Sequence, residues 1–102
     1  MPASTFKYIA AAGVAIEGVP TEGMTIRAAT GRALGRLGGF IVDAAEQHIR
    51  YFVVRRPGLF GKTGVLPFSI PRVDLDGRAI EIDVNDQELR QLRNLSPDAL
   101  IA

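Results

Sequence analysis

Glycine and proline interrupt this chain so often that long elements have little room to form. Gly18-Val19-Pro20, Thr30-Gly31, Gly38-Gly39, Pro57-Gly58, Gly61, Gly64, Pro67, Pro71 and Asp76-Gly77 divide it at intervals of roughly 8 to 15 residues. Proline removes a backbone donor and fixes φ, while glycine weakens any helix it interrupts. Such spacing suits successive short strands. No apolar run reaches the ~20 residues that a membrane-spanning helix needs.

Between the breaks, the apolar pattern locates the strands. Met24 to Ala28 is a short candidate, and Leu34 to Asp43 follows, with Gly35, Gly38 and Gly39 providing the bends of a strongly coiled sheet. His48 to Arg56 is the strongest strand. Ile49, Tyr51 and Val53 alternate with Phe52 and Val54, so both faces are apolar and the strand is expected to be central. Val65 to Ile70 resumes the pattern, with Pro67 marking an edge or a bulge. Arg72 to Leu75 and Arg78 to Val84 flank Asp76-Gly77, which predicts a hairpin with a type I′ turn. Near the C-terminus, Asn85 and Glu88 have the spacing of a capping box, and Leu89 and Leu92 give the following helix an apolar stripe. Ser96-Pro97-Asp98 predicts one further short turn.

At 102 residues there is room for one domain and one core. Apolar residues make up 47% and charged residues 23%, a balance that argues against disorder over most of the length. Cysteine is absent, which removes disulfides and thiolate metal sites and suits a reducing, cytoplasmic setting. The stretch Tyr8 to Ile16 is apolar after Lys7, a weak likeness to a signal peptide, and is read instead as an N-terminal strand or tail. Net charge is only +1, too small for a global footprint on nucleic acid. Residues 1–62 nevertheless hold eight Lys and Arg against four acids, and residues 63–102 hold four against seven. That dipole would allow pairing with a second copy.

Each motif that suggests chemistry fails at a named position. Gly61-Lys62-Thr63 resembles the end of a P-loop, but Arg56 stands where the first glycine belongs, and strand signals rather than a helix follow. Gly31, Gly35, Gly38 and Gly39 do not match the dinucleotide fingerprint. Asp74, Asp76, Glu81 and Asp83 suggest a calcium loop until Arg78 and Ala79 occupy the positions of a ligand and the obligatory glycine. His48 is the single histidine, and Ser4, Ser69 and Ser96 lack a nucleophile elbow. No catalytic residue, metal ligand or cofactor is therefore expected, and the chain is read as non-enzymatic. The interaction candidates are Arg55, Arg56, Leu59, Phe60 and Lys62, on and after the strongest strand. Exposed arginine and aromatic residues anchor interfaces. Leu59 and Phe60 either serve that purpose or fold back to plug the core.

The run from Met24 to Val84 resembles the PRC-barrel family, named from the H subunit of the photosynthetic reaction centre and found also in a ribosome-maturation factor. The matching residues are Gly31-Arg32-Ala33-Leu34-Gly35-Arg36-Leu37 and Phe40-Ile41-Val42-Asp43, then Ile49-Arg50-Tyr51-Phe52-Val53-Val54, the glycine-rich loop, and Val65-Leu66-Pro67-Phe68-Ser69. The family likewise has a Gly-x-x-x-Gly strand ending in Asp, a "v-r-y-l-v-v" strand, a glycine-rich loop and "v-p-w-s". Many relatives carry glycine in the turn after that Asp, whereas Ala44 to Gln47 contains none.

The resemblance implies a mainly β fold, a small and strongly bent PRC-type β-barrel, here with a short C-terminal helix. The division expected is an extension or extra strand over 1–23, a barrel core over 24–84, and a helix and tail over 85–102. Its implied role is a protein-binding or assembly adaptor with an unidentified protein partner, acting as a homodimer. The alternative is a module associated with RNA or ribosome assembly.

Overall fold

The computed structural model describes residues 5–56, 63–68, 72–85, 87–88 and 96–101. The strands are β1 (Phe6–Ala10), β2 (Ala15–Ile16), β3 (Val19–Pro20), β4 (Thr25–Ala28), β5 (Ala33–Asp43), β6 (His48–Arg55), β7 (Thr63–Pro67), β8 (Arg72–Asp74) and β9 (Ala79–Ile82). The protein is mainly β. No helix among the described residues is long and apolar enough to cross a membrane.

One sheet runs in the order β7-β6-β5-β4-β9-β8, and β1 adds to β5 beyond the end of β4. Its pairs are antiparallel except β4–β9, which is parallel. In a flat sheet β7 and β9, four steps apart, would lie about 19 Å from one another. Instead Leu66 of β7 and Ile80 and Ile82 of β9 share one buried cluster with Met24, Ile26 and Phe52. Only a strong bend allows this. Two irregularities in the β5–β6 ladder supply part of it. The first lies at Gly38, so that Leu37 and Phe40 both enter the core although they are three residues apart. Closure into a barrel is not seen: among the described residues the ladder ends at β7 and β8, which do not pair.

β6 lies between β5 and β7, as its two apolar faces predict. Phe52 and Val54 point into the main cluster, and Val53 is buried on the opposite face with Ile41 and Val65. Ile49 departs from the expected alternation. The register shifts so that Tyr51 pairs with Ile41 but Ile49 with Val42, which puts Ile49 and Tyr51 on opposite faces and leaves Ile49 37% exposed. The expected C-terminal helix reduces, among the described residues, to a single turn at Pro97–Ile101 that packs against both β1 and β7. The capping-box pair does form: Glu88 N–H donates to Asn85 Oδ1 at 2.8 Å, and Asn85 N–H to Glu88 Oε1 at 3.4 Å. Leu89 and Leu92 lie outside the described residues.

The hairpin at Asp76-Gly77 is present, but its turn is not type I′. Asp74 pairs with Ala79 across a four-residue loop, and positive φ falls on Arg78, at 52°, rather than on Asp76 or Gly77. Gly77 serves close approach instead: a Cβ there would collide with the Asp74 carboxylate, whose Oδ1 accepts the Gly77 N–H at 2.9 Å. The β5–β6 turn repeats this design without glycine. Asp43 pairs with His48, Gln47 takes the positive φ of 57°, and Asp43 Oδ1 accepts the N–H groups of Ala45 at 3.1 Å and Glu46 at 3.3 Å. An aspartate at the strand end thus supports a turn that contains no glycine. The two positive φ angles of a type I′ turn occur at Glu17 (48°) and Gly18 (81°), in the β2–β3 hairpin.

Asp43 also accepts the Thr5 hydroxyl at 2.9 Å. That hydrogen bond is the main reason its carboxyl lies below the usual range, helped by the two backbone N–H groups and Arg50 and opposed by partial desolvation. A carboxyl lowered in the folded state adds stability above its unfolded pKa and loses it as pH falls through the folded value. Asp43→Asn should therefore flatten the acid limb of a urea-midpoint-versus-pH profile. Parallel limbs for the two proteins would contradict this account of the turn.

Candidate functional site

Register brings together what the chain separates. β5 and β6 place Arg36 directly opposite Arg55, so their side chains leave the same face of the sheet. Close backbone approach underlies the pair. A Cβ on Gly35 would lie 2.8 Å from the Arg55 carbonyl oxygen, so only glycine fits beside it. Arg36 and Arg55 are exposed and Arg56 is half-buried. Arg36 Nη1 donates to the Gly23 carbonyl at 3.3 Å. The Arg56 guanidinium lies over Gly64, its Nε 3.2 Å from where a Cβ would stand.

Two concavities meet at Arg36 and Arg55. One, of about 380 Å³, is walled by Thr25, Ala33, Gly35 and Arg56. The other, of about 390 Å³, runs toward β1 between Tyr8, Ala10, Ala12, Leu37 and Val53, with Glu22 also on its wall. Tyr8 shapes this second groove. Its ring lies against Gly39, where a Cβ would collide with it, and its hydroxyl donates to the Gly38 carbonyl at 3.0 Å. Tyr8 is still 46% exposed. Thr21, fully buried, has its hydroxyl 2.9 Å from the Val14 carbonyl and 3.2 Å from that of Ala11, which ties down the segment after β1.

The electrostatics are one-sided. Among the described residues the ion pair is Arg50–Glu46, 3.2 Å, at the β5–β6 turn. No described carboxylate lies within ion-pair distance of Arg36, Arg55 or Arg56. Two like-charged residues at directly opposite positions of a ladder repel, so this arrangement costs stability. Among the described residues no group of three or more His, Asp or Glu converges as a metal site. His48 stands at the β5–β6 turn opposite Asp43, away from the groove.

Of the interaction residues expected from sequence, the structure places Arg55 where the two concavities meet and Arg56 on the wall of the first, while Leu59, Phe60 and Lys62 lie outside the described residues. Sequence alone singles out neither Arg36 nor Tyr8. Arg36 sits in a glycine-rich strand that reads as scaffold, and only the β5–β6 register reveals its partner.

No curated protein matches the chain. A family model of the PRC-barrel domain matches residues 20–89, a span that holds Arg36, Arg55 and Arg56 but not the β1 wall of the groove. With the bent sheet, its glycine-bearing β5 and the central β6 all inside that span, the chain belongs to the PRC-barrel domain family.

Proposed function

We propose that this domain is a non-catalytic protein-binding or assembly module that holds its partner at the groove between β1, β5 and β6. The observation that carries this reading is the cross-strand pair Arg36–Arg55, which lacks a described counter-charge and opens onto an apolar wall. Arginine and tyrosine beside small apolar residues are the composition of interface anchors. The ladder edges β7 and β8, which pair with no further strand among the described residues, give the same module a route to homodimers. Its cysteine-free sequence suits a cytoplasmic setting.

Photo-crosslinking from the exposed Ala12 position on the groove wall, in native extract, tests the reading. Arg36→Glu with Arg55→Glu is expected to abolish the crosslinked protein band while leaving the melting temperature within a few degrees, as for exposed substitutions generally. The same band from both proteins would sink the proposal. The arginine cluster also motivates the RNA or ribosome-assembly reading. If that holds, the groove crosslinks to RNA, and capture declines steeply with salt as counterions are released.

A further inference from the structure

We propose that the groove receives an acidic, partly apolar peptide segment of a partner protein, with Arg36 and Arg55 clamping a carboxylate. This rests on the protein-binding reading above. The planar guanidinium fork matches a carboxylate bidentately, and two arginines at facing ladder positions that line one groove can hold one carboxylate between them. A bound carboxylate removes the like-charge repulsion that the free protein bears. Beside the clamp the wall includes Ala10, Ala12, Val53 and Tyr8, which suits small or medium aliphatic side chains next to the acid.

Nucleic acid fits less well. Tracking a phosphate backbone requires a row of cations, whereas this wall turns apolar within one residue of the arginines and carries Glu22. The overall charge of +1 adds no long-range attraction.

Fluorescence anisotropy on the full chain would compare a labelled peptide of Glu, Leu and Gly, its Gln counterpart, and a single-stranded RNA of similar length. The acidic peptide is expected to bind, the Gln peptide at least ~10-fold more weakly, and Arg36→Gln with Arg55→Gln to lose about the same factor. Arg55→Glu supplies the missing carboxylate in cis. It is expected to abolish peptide binding while raising the melting temperature by roughly 1–5 °C, because an opposite-charge pair replaces a like-charge one. Absence of acidic-peptide binding, equal binding of the two peptides, tighter binding of RNA, or a stability loss in Arg55→Glu would overturn the assignment. So would light scattering that shows a dimer broken by the arginine variants, since a second copy would then fill the groove. A protein crosslinked at the groove despite a failed peptide test would leave the assembly reading standing and remove only the acidic-segment assignment.

Discussion

Phe52→Ala is expected to lower the unfolding free energy by about 3–5 kcal/mol, the range for losing a buried aromatic side chain. Phe52 is completely buried on the central strand, and its ring lies 5.0 Å from that of Phe68 and 6.0 Å from that of Phe40. Those partners come from the segment after β7 and from β5, so the ring joins three strands of a sheet that bends around it. No single neighbour can collapse into the space without unbending the sheet, which puts the cost toward the upper end. A domain of this size has roughly 5–15 kcal/mol to lose. The variant should therefore melt on the order of 20 °C lower. Ile49→Ala, three residues earlier on the same strand but exposed, should cost well under half as much. Equal losses for the two variants in urea titration would show that the core does not centre on Phe52.

That contrast between Phe52 and Ile49 marks how far the sequence can be read. The alternation along His48 to Arg56 shows a strand with two apolar faces, and Phe52, Val53 and Val54 are all buried. The alternation cannot show that the register shifts at Ile41 and Val42, because that depends on how β5 pairs with it. Turns behave the same way. Asp76-Gly77 locates a hairpin, yet the aspartate before the loop, Asp74, fixes its geometry, and Asp43 does the same where no glycine exists. A carboxylate that accepts loop N–H groups makes glycine's conformational freedom unnecessary, so a search for glycine finds one loop and misses its twin. The site divides likewise. Arg55 and Arg56 are conspicuous beside a glycine-rich loop, whereas Arg36 becomes their neighbour only once β5 and β6 are in register.

The dependence of the site on that register leads to the second large effect. Gly35→Ala and Gly38→Ala make the same change on the same strand, and the ordinary effect of such a change is favourable by about 0.4–1 kcal/mol, since alanine narrows the unfolded ensemble. At Gly38 the nearest atom to the new Cβ is the Val53 carbonyl oxygen at 3.7 Å, an ordinary contact. The substitution there should be neutral or mildly stabilising. At Gly35 the new Cβ meets the Arg55 carbonyl oxygen at 2.8 Å, with the Arg55 carbonyl carbon and Val54 Cβ at 3.4 Å. Two of those atoms are backbone, so relief requires β5 and β6 to part, and overpacking of this kind costs about 1–3 kcal/mol. Opposite signs for the two variants in chemical denaturation are the expected result, and a shared sign would refute the close packing at Gly35. Parting the strands also separates Arg36 from Arg55. Gly35→Ala should therefore weaken acidic-peptide binding with every groove side chain intact, because Arg36 and Arg55 would no longer hold facing positions in the ladder.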